Sequence, residues 1–203
     1  GRFSADSGNR SEALAYYGFN DTMPVVLVVG GSLGTRTLNE MMKAWVRDLD
    51  GVAPVQVIWQ TGKYYEREMQ EFLRSHPTKN IWQGAFIERM DYAYAAADVV
   101  LSRSGACTVS ELCLVAKPTI FVPSPNVAED HQTKNAMALV EQGAAEIVRD
   151  SEAVERGMHL AVELSRNGRR LEELSSNIAK LAISDSADRV VRVIDEVLTE
   201  VKR

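Results

Sequence analysis

The first feature that could do chemistry is a glycine-rich turn, Gly30-Gly31-Ser32-Leu33-Gly34, which follows the β-branched run Val25–Val29 and precedes a helical pattern. Glycines at a strand-to-helix turn let the backbone pass close to a ligand, and the unpaired N–H groups of the helix start favour an anion. The spacing matches neither the dinucleotide motif Gly-x-Gly-x-x-Gly nor a P-loop, which disfavours ATP hydrolysis. The turn therefore predicts a phosphate site, with an unliganded strand-to-helix turn as the alternative.

A second turn of small residues, Ser104-Gly105-Ala106, follows the apolar run Val99–Leu101 and opens another helical pattern. Thr108 and Glu111 are spaced as in a capping box, so one interpretation is that they only begin this helix. In the other interpretation, the amides of residues 105–108 hold a diphosphate. The Glu111 carboxylate then accepts hydrogen bonds from the two vicinal hydroxyls of a ribose, as acidic residues do in nucleotide sites.

A polar loop stiffened by Pro123 and Pro125 leads into a further helix, which carries His131 and Gln132 in its first turn. Gln132 can donate and accept hydrogen bonds, which suits the hydroxyls of a sugar. The alternative is that Asp130 caps the helix and His131 is a solvated surface residue.

The elements that would position these residues alternate regularly from residue 25 onward. Strands separated by helices at this spacing predict right-handed βαβ crossovers and an open α/β sandwich, a parallel sheet with helices on both faces. The turns after such strands meet at the carboxyl edge of the sheet, so both glycine turns would serve one site. The predicted strands are Val25–Val29, Val55–Trp59, Ile81–Gly84, Val99–Leu101, Thr119–Val122 and Glu146–Val148, and the predicted helices between them are 36–49, 64–74, 90–97, 109–116 and 131–142.

The two ends of the chain differ from this pattern. Residues 1–24 carry little strand signal and one helical pattern at 11–17, so we expect a ragged linker segment there and a single domain over 25–203. After Asp150 only helices are predicted, over 151–164, 168–182 and 186–201.

Composition excludes several classes of protein. The 28 acidic and 23 basic residues give a net charge of −5, which argues against nucleic acid as a partner. No apolar run approaches the roughly 18 residues that span a bilayer, and no signal segment is evident, so we expect a chain that is soluble and not secreted. Two cysteines, Cys107 and Cys113, fit a reducing compartment.

Asp48-Leu49-Asp50 has the Asp-x-Asp pattern of metal-dependent transferases, but it lies at a predicted helix end far from the glycine turns.

Taken together, the motifs resemble the carboxyl-terminal half of the MurG glycosyltransferases over about residues 8–200. These bacterial enzymes move N-acetylglucosamine from UDP-N-acetylglucosamine to lipid I, which makes lipid II for peptidoglycan. The resemblance implies a GT-B hexosyltransferase whose Rossmann-like carboxyl-terminal domain binds the nucleotide sugar. The motifs are Gly30-Gly31-Ser32-Leu33-Gly34, Gln60-Thr61-Gly62-Lys63, Phe86-Ile87 before Met90, residues 93–98, Ser102-Arg103-Ser104-Gly105-Ala106 with Ser110-Glu111, and residues 122–136.

Carried over by position, the resemblance implies a role for each motif. Ser32 would contact a phosphate, the Ile87 backbone the uracil, and Gln132 the N-acetylglucosamine ring, while Arg103 would shape its turn. The diphosphate and ribose would be lined by Ala106, Cys107, Thr108, Val109, Ser110 and Glu111, and the phosphate-loop glycines would be Gly30, Gly31, Gly34 and Gly105. No metal and no cofactor is expected, because backbone amides and helix starts would meet the charge of the leaving UDP.

Two departures from the family pattern matter. The family carries Gly-Asn-Pro-Val-Arg before this domain, whereas Gly8-Asn9 is followed directly by Arg10, so Arg10 matches a diphosphate ligand only across a two-residue gap. We also expect no counterpart of the family's amino-terminal domain within these residues. That domain would hold lipid I, meet the cytoplasmic face of the inner membrane and supply the general base. We therefore assign no catalytic residue and expect this chain to bind UDP-N-acetylglucosamine without transferring it.

Three other functions fit the sequence. A nucleotide-sugar-binding subunit of a split transferase would have this size. A UDP-N-acetylglucosamine 2-epimerase would share the architecture and carry its own acid and base carboxylates. A non-catalytic nucleotide-sugar sensor would bind tightly and act through a regulated partner.

Overall fold

The computed structural model describes residues 8–125 and 130–182. The strands are β1 (Val25–Val29), β2 (Val52–Gln60), β3 (Lys79–Gly84), β4 (Val99–Ser102), β5 (Thr119–Phe121) and β6 (Glu146–Ile147). The helices are α1 (Gly8–Tyr16), α2 (Arg36–Arg47), α3 (Glu66–Ser75), α4 (Met90–Ala96), α5 (Ala106–Val115), α6 (His131–Val140), α7 (Asp150–Ser165) and α8 (168–182). The helix predicted over 186–201 lies outside the described residues.

The six strands form one parallel sheet in the order β3-β2-β1-β4-β5-β6. Strand order therefore runs outward in one direction from β1 and in the other from β4. Open α/β sheets bind ligands at the carboxyl ends of the strands where the order reverses. The two glycine turns follow β1 and β4, so the topology puts both at this reversal point. The predicted fold class is confirmed.

Each face of the sheet carries its own hydrophobic core. One core is built with α2, α3 and α7, and the other with α1, α4, α5 and α6. All five residues of β1 are buried because Val26 and Val28 face the first core, whereas Val25, Leu27 and Val29 face the second. A strand covered on both sides needs apolar residues at every position, which explains the unbroken run in the sequence.

The start of β2 and the packing of α1 both differ from the prediction. β2 begins at Val52, before Pro54, and an irregular register between Val52 and Val57 accommodates the proline within the sheet. α1 lies in the segment expected to be a linker, yet Ala13 and Leu14 are buried in the second core and the helix packs against α4.

Candidate functional site

A cleft of about 670 Å³ lies at the carboxyl edge of the sheet, where β1 and β4 end. We call residues 30–35 the first corner and residues 104–106 the second corner. Both corners reach the cleft, as do residues from the loops after β2, β3 and β5. The lining residues are Val29, Gly30, Gly31, Gly34, Thr35, Arg36, Thr37, Gln60, Tyr65, Phe86, Ile87, Met90, Tyr94, Ser102, Arg103, Gly105, Thr108, Glu111, Ser124 and Gln132.

The first corner is a tight turn closed by its own backbone. The Thr35 hydroxyl donates to the Gly30 carbonyl at 2.8 Å, and the Gly34 N–H donates to the Gly31 carbonyl at 3.0 Å. Thr35 occupies the N-cap position of α2, and no described side chain caps this helix start. The uncapped amides and the positive end of the helix dipole are therefore available to an anion in the cleft.

A buried network fixes the first corner against β2. Asn39 on α2 donates its side-chain amide to the Thr61 carbonyl at 2.9 Å and accepts from the Trp59 indole N–H at 2.9 Å. The loop after β2 contacts the corner directly at Gly62, which lies against Gly34. The sequence interpretation did not assign Asn39 to the site. A polar residue on the otherwise apolar inner face of α2 was the signal for it.

The second corner is built differently and overturns one of the two interpretations of its sequence. α5 begins at Ala106 with Gly105 as N-cap, and no described side chain caps it. Thr108 therefore lies inside the first turn and lines the cleft. The capping-box interpretation of Thr108 and Glu111 is wrong. Glu111 instead accepts a hydrogen bond from the Tyr94 hydroxyl at 3.1 Å, across the gap between α4 and α5.

Gln132 connects the polar loop to the second corner. Its side-chain oxygen accepts from the Ser124 N–H at 2.9 Å and from the Ser104 N–H at 3.4 Å. The Ser104 hydroxyl donates to the Gln132 carbonyl at 2.7 Å, and Asn135 donates to the Ser104 carbonyl at 3.0 Å. The Gln132 amide nitrogen has no partner among residues 10–125 and 130–182 and remains free to donate to a ligand. Asp130 occupies the N-cap position of α6 but makes no side-chain cap hydrogen bond.

Arg103, which the resemblance implies would shape its turn, lines the cleft and is anchored to the segment after β5 and to α7. Its guanidinium donates to the carbonyls of Val122 and Pro123, at 2.9 and 3.2 Å, and forms an ion pair with Asp150. Asp150 also accepts a hydrogen bond from the Thr37 hydroxyl at 3.1 Å. This chain of contacts links the first turn of α2 to the turn after β4.

The structure brings eight of the predicted site residues to the cleft and leaves six outside its lining. Those in the lining are Gly30, Gly31, Gly34, Ile87, Gly105, Thr108, Glu111 and Gln132. Ser32 lies exposed on the first corner, and Ala106, Cys107, Val109 and Ser110 lie on the first turns of α5. Val109 is buried in the second core, and the Ser110 hydroxyl donates to the Ala106 carbonyl at 3.0 Å.

Arg10 is not brought to the cleft. Its guanidinium pairs with Asp98 at 3.1 Å and donates to the Ala96 carbonyl at 2.7 Å. Asp98 immediately precedes β4, so Arg10 lies at the amino edge of the sheet, opposite the two corners. The ion pair with Asp98, together with the short segment between α1 and β1, holds Arg10 away from the cleft. Arg10 matched a diphosphate ligand of the family only across a gap, and it does not lie in this site.

The Asp48-Leu49-Asp50 pattern lies where α2 ends, with Asp48 as the C-cap, and α2 begins at the cleft. Within the described ranges, no group of three or more histidine, cysteine or acidic residues is arranged to hold a metal ion. A helix of the length and apolarity that crossing a bilayer requires does not occur among those residues either.

Comparisons with known proteins agree with the geometry. Residues 25–190 match the family model of the glycosyltransferase family 28 C-terminal domain. The chain is 48% identical, over 191 residues, to the UDP-N-acetylglucosamine--N-acetylmuramyl-(pentapeptide) pyrophosphoryl-undecaprenol N-acetylglucosamine transferase of Parabacteroides distasonis. That match covers 93% of this chain and 51% of the relative. The chain thus spans about half the length of the curated relatives it matches.

Solved structures give the same result. The crystal structure of Acinetobacter baumannii MurG superposes with a TM-score of 0.70 at 31% identity, covering 87% of this chain and 53% of that one. A putative UDP-N-acetylglucosamine 2-epimerase from Listeria monocytogenes has a TM-score of 0.56 at 9% identity, which shows a shared fold alone. The resemblance to MurG inferred from the sequence motifs is confirmed, and the chain belongs to the glycosyltransferase family 28 C-terminal domain family.

Proposed function

We propose that this chain is the donor-binding part of a hexosyltransferase that moves N-acetylglucosamine from UDP-N-acetylglucosamine to lipid I, forming lipid II in peptidoglycan synthesis. The observation that carries the proposal is the cleft at the strand-order reversal, where two uncapped helix starts meet Glu111 and Gln132. The names of the relatives, which describe an N-acetylglucosamine transferase with UDP-N-acetylglucosamine as a substrate, support this donor.

In the proposed complex the diphosphate lies between the two corners. The amides of the first turns of α2 and α5 face its negative charge, and Ser32 contacts one phosphate. The first turn of α5 lines the diphosphate and ribose through Thr108 and through the backbone of Ala106 and Cys107. Val109 and Ser110, which the resemblance also assigned to this lining, instead pack in the second core and against the Ala106 carbonyl. Glu111 accepts from the ribose hydroxyls, and the Ile87 backbone pairs with the uracil. The Gln132 amide nitrogen donates to the sugar ring, because its oxygen is already held by the amides of Ser104 and Ser124.

The reaction is a displacement that inverts the anomeric carbon. The 4-hydroxyl of the N-acetylmuramyl unit attacks C1 of the donor sugar as the bond to UDP breaks, and negative charge develops on the leaving diphosphate. Preset backbone amides and helix dipoles stabilise that charge without reorganisation. The general base and the lipid acceptor site belong to the other half of the whole protein. Through that half it binds the cytoplasmic face of the bacterial inner membrane as a peripheral enzyme.

Calorimetric titration of this chain tests the donor proposal. We expect saturable binding of UDP and of UDP-N-acetylglucosamine, weaker binding of ADP, which lacks the uracil edge, and no transfer of sugar to a lipid I analogue. A folded sample that gives no heat with either uridine compound would contradict the proposal. Equal affinity for UDP and ADP would remove the uracil contact at Ile87.

A further inference from the structure

A buried tyrosine lies directly behind the carboxylate that faces the cleft. Tyr94 on α4 is 3% exposed, and its hydroxyl donates to Oε2 of Glu111 at 3.1 Å. α4 and α5 belong to different strand-helix units, so this bond ties the position of Glu111 to a second element of the fold. Both residues line the cleft.

The hydrogen bond restricts the Glu111 side chain before a ligand arrives. A glutamate otherwise rotates about three side-chain bonds, and a ligand would have to select one conformer. With Oε2 held by Tyr94, Oε1 is the carboxylate oxygen that accepts no hydrogen bond from residues 10–125 and 130–182. The carboxylate therefore has a fixed orientation, in which Oε2 is bonded to Tyr94 and Oε1 is available to a ligand.

The proton of this hydrogen bond stays on the tyrosine. Burial, and then the nearby negative charge of Glu111, raise the pKa of the Tyr94 hydroxyl far above its usual value. Tyr94 therefore keeps its proton and donates it to the hydrogen bond with the Glu111 carboxylate.

We infer that Tyr94 is a positioning residue that fixes the Glu111 carboxylate to recognise the paired hydroxyls of a ribose and to discriminate against a deoxyribose. The inference rests on the proposed function, since it assumes a uridine nucleotide in the cleft. It adds a specificity-determining contact between two protein residues, Tyr94 and Glu111, of which Glu111 binds the ligand. Tyr94 acts on sugar selectivity through Glu111, so its removal should affect ribose and deoxyribose ligands unequally.

The test is the ratio of dissociation constants for 2′-deoxy-UDP and UDP, measured by calorimetry on the whole chain and on Tyr94→Phe. Losing a hydroxyl that binds a charged acceptor typically costs at least tenfold in affinity, so we expect the unmodified chain to prefer UDP by about tenfold or more. In Tyr94→Phe the preference should fall to about threefold or less. The ratio reports only on folded molecules and is insensitive to a moderate loss of stability.

Tyr17→Phe is the matched control. Tyr17 is also buried in the second core, at 6% exposure, and its hydroxyl donates to the Arg89 carbonyl at 3.4 Å, outside the cleft lining. This variant should keep the full preference for UDP. In a Glu111→Ala background, Tyr94→Phe should cause no further change in the ratio, because the residue through which it acts is gone.

The outcomes separate the two proposals. An unmodified chain that prefers UDP, with Tyr94→Phe retaining that preference, overturns the role of Tyr94 and leaves donor binding intact. Equal binding of UDP and 2′-deoxy-UDP by the unmodified chain overturns ribose recognition by Glu111 and with it the role of Tyr94. No binding of UDP by a folded chain overturns the proposed function itself.

Discussion

The two corners of the cleft carry glycine for different physical reasons. At the first corner an added Cβ on Gly34 would lie closer than 3.0 Å to the Thr61 carbonyl, and one on Gly62 would lie equally close to the backbone of Gly34. At the second corner an added Cβ on Gly105 meets no atom of the described residues within 4 Å, and the φ of −62° is accessible to any residue. The fold therefore requires glycine at the first corner and does not require it at the second.

The difference shows which part of the site is scaffold and which is open to a ligand. The first corner is held by backbone packing and by the buried Asn39 network. The second corner is held by the side chains of Arg103 and Gln132, and among residues 8–125 and 130–182 no atom lies within 4 Å of the position that a Cβ on Gly105 would take. Besides the preference for glycine at an N-cap, close approach of a ligand to the backbone is a reason for a glycine at position 105.

Gly34→Ala is expected to have the largest effect on stability. Gly34 has a φ of +85°, which strains any residue with a Cβ, and the methyl group would also overlap the Thr61 carbonyl. Backbone strain and overpacking together should lower the free energy of unfolding by about 3 kcal/mol or more. Urea denaturation monitored by circular dichroism measures this loss.

Gly31→Ala is the control for that substitution. Gly31 has a similar φ of +82°, but an added Cβ there meets nothing within 4 Å in the part of the chain that the structure describes. It should cost only the backbone strain, about 1 kcal/mol. Equal losses in the two variants would show that the contact between Gly34 and the loop after β2 does not hold the first corner.

The sequence carried enough information for the sheet but not for this contact. The five residues of β1 were predicted with their observed bounds because a strand buried on both faces must be apolar throughout. The contact of Gly34 with Gly62 joins two turns from different strands, and no local pattern encodes their distance. Gly62 stood out only within the Gln60-Thr61-Gly62-Lys63 motif.

Local patterns also misled where a tertiary contact competes with them. Thr108 and Glu111 have capping-box spacing, yet the helix begins before Thr108. Glu111 instead accepts a hydrogen bond from Tyr94, seventeen positions earlier in the chain. Arg10 aligned with a ligand position, but Asp98 holds it at the other edge of the sheet. Each outcome depends on a partner that is distant in sequence.

Glu111→Ala tests whether α5, the helix that begins at the second corner, recognises the nucleotide. We expect the variant to keep the fold and, because the hydrogen bond from Tyr94 to Glu111 is lost, to lose about 1 kcal/mol of unfolding free energy. Binding of UDP and UDP-N-acetylglucosamine should weaken by about 1–3 kcal/mol, because the ribose hydroxyls lose a charged partner. Calorimetry on the folded variant measures the second quantity. Unchanged affinity would remove Glu111 from the site.

Gly105→Ala should have the smallest effect on stability and is the sharpest test of the difference between the corners. Alanine restricts the unfolded chain, which stabilises the fold, but it is a poorer N-cap residue than glycine, so the two effects should cancel to within about 0.5 kcal/mol. The methyl group would nevertheless occupy the space that we assign to the diphosphate. UDP affinity should therefore fall by about tenfold or more, equivalent to about 1.4 kcal/mol, in a protein of unchanged unfolding midpoint. If affinity and stability are both retained, the open space above Gly105 is not where the ligand lies.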